Sequence, residues 1–195
     1  MQKQLDPKED YWEINYQNGI GSGPGSEGRL NQWIRDLVES YVNTKDKVVL
    51  DVGCGDMQIG GKIDCEHFIG LDQSKTILEK NRKRYPNRQF IETRVELAMP
   101  GLSADIVLCI SVLFHVMDDE VYKAILRNLG KYTKEYLFVY TWKKNPFRGK
   151  TGDGMYQQYR DFEEHIWNLG VWEKAERVEP IDEIDSIGAI WVFKK

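Results

Sequence analysis

Asp51, Gly53, Gly55 and Asp72 are the residues whose types and spacing most directly suggest chemistry. The two glycines follow the apolar run Val48-Val49-Leu50-Asp51-Val52, and there they let the backbone turn sharply and approach a ligand that any side chain would block. Asp72 closes the next apolar run, Phe68-Ile69-Gly70-Leu71-Asp72, 21 positions after Asp51. A carboxylate at that point can accept both hydroxyl hydrogens of a ribose, so a ligand bearing a diol is expected. A dinucleotide fingerprint would need another glycine three positions after Gly55, where this chain has Gln58. Asp51, directly before the turn, would repel a pyrophosphate and suits a cationic or zwitterionic ligand better.

Those residues have to be positioned by strands. Val48–Val52 reads as a strand buried on both faces and Phe68–Asp72 as a second strand ending in a carboxylate, with Gly53-Cys54-Gly55-Asp56 as a tight turn after the first. Only a short stretch containing Gly60 and Gly61 separates Asp56 from Phe68, so the first crossover is short or irregular. Before this unit, Leu30, Trp33, Ile34, Leu37, Val38 and Tyr41 mark one face of an amphipathic helix beginning near Ser26. After it, Ser74 caps a helix running to about Tyr85, and Pro86 stops it. Gln89–Glu92, Asp105–Ile110 and Tyr136–Tyr140 are further strands. Asp118 or Asp119 starts a helix with Val121, Ile125 and Leu129 inward, and Gly130 ends it. Arg160 to Leu169 reads as a helix closed by Gly170. Val171–Val178 and Gly188–Phe193 read as an antiparallel hairpin at a sheet edge.

Composition bounds the rest. The length of 195 residues suits one domain spanning 1–195, and residues 1–26 form an N-terminal segment that by composition is a loop, either a linker or a lid. A formal charge of −4 gives no global attraction to nucleic acid. Cys54, Cys65 and Cys109 have no metal or disulfide spacing and read as buried thiols, and His67, His115 and His165 are too scattered for a local metal motif, so no metal site is expected. The polar start and the lack of a long apolar run predict no signal peptide, no membrane span and a cytoplasmic protein.

The run Val49-Leu50-Asp51-Val52-Gly53-Cys54-Gly55-Asp56, followed by Gly70-Leu71-Asp72, resembles the first two motifs of the class I S-adenosylmethionine-dependent methyltransferases. Met57 departs from many members, which carry another glycine there. The resemblance implies a three-layer αβα sandwich around a mostly parallel seven-stranded sheet of order 3-2-1-4-5-7-6, with the last strand antiparallel. It implies S-adenosylmethionine as cofactor, bound by Asp51, Gly53, Cys54, Gly55, Asp72, Gln73 and Ser111. Glu92, Thr93, Arg94 and Val95 would lie near the adenine, without a choice among them. Ser22 to Leu30 is similar to a Ser-Gly-x-Gly-Ser-x-Gly-Arg-Leu signature of a small subfamily, in which the segment covers the cofactor and Arg29 could meet its carboxylate; Arg29 reads equally well as an exposed helix start.

The acceptor is expected beside the loop after the Asp105–Ile110 strand, since ligands of open parallel sheets bind at the carboxyl ends of strands. His115 there is either a base for an acceptor hydroxyl or amine, or a packed residue capping the next helix. Residues 142–160 hold Lys143, Lys144, Arg148, Lys150 and Arg160 against Asp153, an excess suited to an acceptor carrying phosphate or carboxylate. Tyr156 is a second candidate for catalysis, and Tyr159 and Arg160 are candidates for acceptor binding. The expected reaction is methyl transfer to a small anionic or sugar-type acceptor. RNA or protein methylation, cofactor binding without activity and nucleotide-dependent oxidoreduction are the alternatives.

Overall fold

The computed structural model describes residues 10–23 and 28–195. Seven strands, β1 (Val48–Val52), β2 (His67–Asp72), β3 (Gln89–Glu92), β4 (Ala104–Ile110), β5 (Thr133–Trp142), β6 (Lys174–Val178) and β7 (Gly188–Lys194), form one sheet of order β3-β2-β1-β4-β5-β7-β6. The first five pair in parallel, and β7 runs antiparallel between β5 and β6. The fold and strand order expected from the sequence are those observed.

Alternation along β1 builds both faces of the sheet. Leu50 and Val52 enter one core with Ile125, Leu126 and Leu129, while Val49 enters the other with Ile34, Val38, Ile77 and Leu78. Those partners belong to helices α2 (Arg29–Tyr41), α3 (Lys75–Arg84) and α4 (Asp119–Tyr132). Ser74 caps α3 by accepting from the Ile77 amide, and the Asp118 side chain accepts from Glu120 and Val121 at the start of α4. The crossover from β1 to β2 is a single 3-10 turn at Gly60–Lys62. Ser26, where α2 was expected to begin, lies outside the described residues.

Four local expectations need correction. Tyr11–Gln17 is a helix, α1, and not a loop. Its Trp12 and Tyr16 sit one turn apart and Tyr16 is buried, so tertiary packing supplies what its composition does not. Gly130 does not end α4, which continues to Tyr132. A β-carbon at Gly130 would overlap the carbonyl of Leu169, so this glycine permits the close crossing of α4 and the segment behind it. That segment is a 3-10 helix confined to Glu163–Leu169, because Arg160 is tied to α4 and Phe162 is anchored in the core. Strand β6 begins at Lys174 and not at Val171, which stands 92% exposed off the sheet edge.

Candidate active site

The floor of the site is the carboxyl end of β1 and β2, whose parallel register places Val52 beside Leu71. The amides of Gly53 and Cys54 both donate to the Leu71 carbonyl, at 2.8 and 2.9 Å, which closes the turn onto its neighbour. Gly53 has φ +78, and a β-carbon there would come within 2.5 Å of Val112 Cγ2. Gly55 has φ +49 and lies beneath Ser22 and Tyr16. Both positions require glycine for conformation and for space. Met57 also has positive φ, but its side chain is buried in the core, so the departure from the usual glycine leaves the turn intact.

Asp72 is held from two sides. Its Oδ2 accepts from the Gly55 amide at 3.0 Å and its Oδ1 from the Ser74 amide at 2.9 Å. Each oxygen keeps a further lone pair for a ligand hydroxyl. Asp72 and Asp51 are only 8% and 5% exposed. Burial raises Asp72 to about 6 against the pull of those backbone donors, and raises Asp51 to about 7 with the Asp72 charge adding to the effect. The Cys54 thiol is pushed well above its ordinary value by burial and by these two carboxylates, so it is an inert wall group.

The N-terminal segment forms the roof. Tyr16 OH and Ser22 Oγ share a hydrogen bond of 2.8 Å, and Ser22 Oγ donates to Asp56 Oδ1 at 2.9 Å, clipping the segment over the glycine turn. Glu13 accepts from the hydroxyls of Ser74 and Thr76 at 2.5 and 2.6 Å and from the Thr76 amide at 3.2 Å. Burial works against the Glu13 charge, but these donors together hold its carboxyl below the ordinary value. Lys80 Nζ donates to the Tyr16 carbonyl at 2.9 Å. Helix α3 therefore anchors α1 through its amino-terminal turn and its exposed face.

Aromatic rings build the other end. Trp12 meets His115 edge to face at 4.8 Å between centroids, Tyr11 stacks on Tyr156 at 4.3 Å, and Phe114 stacks on Trp142 at 4.2 Å. His115 Nδ1 lies 3.0 Å from the Tyr156 carbonyl, which can only accept, so Nδ1 carries the hydrogen and Nε2 the lone pair. Burial lowers His115 to about 4, keeping the ring neutral at pH 7. Ser111 introduces this loop with φ 60, and the Gln158 amide donates to the Phe114 carbonyl at 2.8 Å. Asp153 Oδ1 accepts from the amides of Met155, Tyr156 and Gln157, which sets the turn that presents Tyr156.

Floor, roof and rings enclose a cavity of about 460 Å³. Of the residues expected from sequence, Asp51, Gly53, Cys54, Gly55, Asp72, Gln73, Ser111, His115 and Tyr156 line it. Arg94 and Val95 line it too, with Glu96, whereas Glu92 and Thr93 do not. The Asn128 side chain fixes that strip by donating to the carbonyls of Val95 and Glu96. Arg29, Tyr159 and Arg160 are not in the cavity wall. Arg29 is exposed at the start of α2. Arg160 is a strut: it donates to Asp119 Oδ1 and to the carbonyls of Val116 and Met117, and lies over the Tyr122 ring. The basic loop likewise sends no cation into the wall; Lys143 pairs with Glu179 instead. The reasoning from sequence missed Tyr16, Ser22, Asp56 and Val112, although the Trp12/Tyr16 spacing and the Glu13/Gln17 pair were signals of a helix.

Among the described residues, no group of three or more His, Cys, Asp or Glu side chains is placed to hold a metal, and no helix is long and apolar enough to cross a membrane. Residues 50–134 match the family described as Methyltransferase domain. Among curated proteins, none matches the sequence. Similar solved structures include the N-methyltransferase NodS from Bradyrhizobium japonicum WM9 in complex with S-adenosyl-L-homocysteine, at 15% identity and a TM-score of 0.68 over 97% of this chain and 99% of that one. A TehB-like methyltransferase from Corynebacterium glutamicum matches at 16% identity and 0.64, covering 96% and 98%. The magnesium protoporphyrin IX methyltransferase of Synechocystis PCC 6803, with bound S-adenosylmethionine, matches at 17% and 0.63, covering all of both chains.

Proposed function

We propose that this chain, a class I S-adenosylmethionine-dependent methyltransferase, acts on a small acceptor that enters between α1 and the Tyr156 turn. The observation carrying this reading is the enclosure of the glycine turn and Asp72 beneath a pinned aromatic roof. About 460 Å³ lies within the range of small-molecule pockets and must serve cofactor and acceptor together. A polymer would meet the wrong surface: Arg94 is the lone cation of the wall among the described residues, and it pairs with Glu96 at 2.6 Å.

The residues present fit the cofactor. Asp72 would hold the ribose hydroxyls, Gly53 and Gly55 would let the methionine portion approach the backbone, and Asp51 would face its cationic end. Val95, Val112 and Ile125 would flank the adenine. The cofactor supplies a methyl group already activated on a sulfonium. What the chain has to do is align the acceptor with that methyl and keep water out. The roof of Tyr11 to Ser22 performs the second task as a lid. His115 Nε2, oriented through Nδ1, receives a hydrogen bond from the acceptor's reacting group. Exposed Lys144, Arg148 and Lys150 lie outside the wall, where the anionic part of a larger acceptor could rest.

An assay for S-adenosylhomocysteine release tests the reading against panels of small metabolites, bulk RNA and unfolded protein. Turnover confined to small acceptors is expected. Turnover only on RNA or protein would overturn it.

A further inference from the structure

The acceptor end of the cavity carries rings where a basic anchor was expected, and that difference bears on which atom is methylated. Tyr11, Trp12, His115 and Tyr156 form a connected aromatic wall, each ring touching the next. The charged groups sharing the cavity are mostly acidic, with Asp118 among them, and Arg94, the single lining cation among the described residues, is already paired. Aromatic faces and carboxylates attract positive charge and give nothing to an anion. The fixed hydrogen on His115 Nδ1 leaves Nε2 as an acceptor only.

Building on the small-acceptor reading, we propose that the methylated atom is an amine nitrogen, bound against the Trp12 and Tyr156 rings with its N–H given to His115 Nε2. A neutral amine has what this wall can use, an N–H to donate and a lone pair left over for attack. An ammonium can rest against the rings with an N–H on His115 Nε2, and it gives one proton to solvent before transfer, when the positive charge of the sulfonium stands beside it. The nitrogen lone pair then forms the new N–C bond as the C–S bond breaks, and that bond's electron pair stays on sulfur. The positive charge passes from sulfur to nitrogen among rings that stabilise it, and the product ammonium releases its proton to water on leaving. A hydroxyl acceptor would need its proton removed during transfer. His115, lowered by burial to about 4, is too weak a base for that. A carboxylate would be desolvated with no free cation to meet it among the described wall residues.

The test uses the full chain loaded with S-adenosylhomocysteine, which binds without turnover. Matched sets of amine, alcohol and carboxylate are titrated calorimetrically: phenethylamine, 2-phenylethanol and phenylacetate, then the cyclohexyl series. The amines are expected to bind at least about tenfold more tightly than their partners, the scale of a desolvated cation–π contact. They alone should be methylated when S-adenosylmethionine replaces the product. Trp12→Ala should abolish the preference while S-adenosylhomocysteine still binds, and Trp12→Phe should retain it. Equal or tighter binding of the alcohols or carboxylates, or no amine binding by a protein that does take up S-adenosylhomocysteine, overturns the proposal. Failure of S-adenosylhomocysteine to bind would instead strike the reading on which it rests.

Discussion

The two ends of the cavity are built by different means. The end proposed for the cofactor is one continuous stretch, Lys47 to Asp72, in which two strands and a glycine turn bring backbone amides and a carboxylate together through neighbouring residues. The end proposed for the acceptor is assembled from α1, the loop after β4 and the turn around Tyr156, more than 140 residues from one end to the other along the chain. The first end is fixed by backbone geometry and tolerates no side chain at its centre. The second is fixed by ring packing and can be re-shaped by substitution. That division suits an enzyme in which one cofactor is constant and acceptors vary.

Substitutions at the two ends should therefore fail differently. Gly53→Val carries the largest effect, since it forces a β-branched residue to φ +78 and drives its β-carbon toward Val112. Affinity for S-adenosylmethionine should fall about 100-fold or more in calorimetry. Asp72→Ala comes next, with cofactor binding weakened by about 1–3 kcal/mol, the scale of hydrogen bonds to a charged group. His115→Gln should cost about tenfold in kcat while cofactor affinity is unchanged. Loss of cofactor affinity in that variant would erase the distinction between the ends.

The smallest effect is on pH dependence, and it has opposite signs at the two ends. Asp51 and Asp72 are raised in the folded state to about 7 and about 6, so the stability they contribute is present below their ordinary carboxylate range and lost as pH rises through those values. His115 is lowered to about 4, so its contribution is present above the ordinary imidazole value and lost as pH falls through 4. Melting temperatures of the cofactor-free protein between pH 4 and 8 check this. Asp51→Asn should flatten the fall in stability as pH rises from about 4 to 7, and His115→Gln should remove the opposing fall as pH drops from about 6.5 to 4. Unchanged slopes in both variants would mean that neither group is buried as described.

The same division explains what could be read in the sequence. Strands β1 and β2, the turn and Asp72 are legible because their signals are local: apolar runs, paired glycines and a carboxylate at a strand end. Ser74 and Asp118 are legible as caps for the same reason. Helix α1 is not, because its seven residues fold on contacts with Ser74, Thr76 and Lys80, which the local pattern does not contain. Arg160 misleads for a related reason. A basic residue in a polar loop reads as free to bind an anion, and only the fold shows two carbonyls and a carboxylate already claiming it. Gly130 reads as a helix stop until Leu169 is placed against it. Site residues that depend on distant partners need the structure.

The most direct measurement is calorimetric titration of the purified chain with S-adenosylmethionine, S-adenosylhomocysteine and NAD, alongside Gly53→Val. Binding of the first two in the micromolar range or tighter is expected, on the order of −8 kcal/mol, with none for NAD and a large loss in the variant. Binding of NAD in place of the other two, or full cofactor affinity in Gly53→Val, would contradict the assignment of the glycine turn.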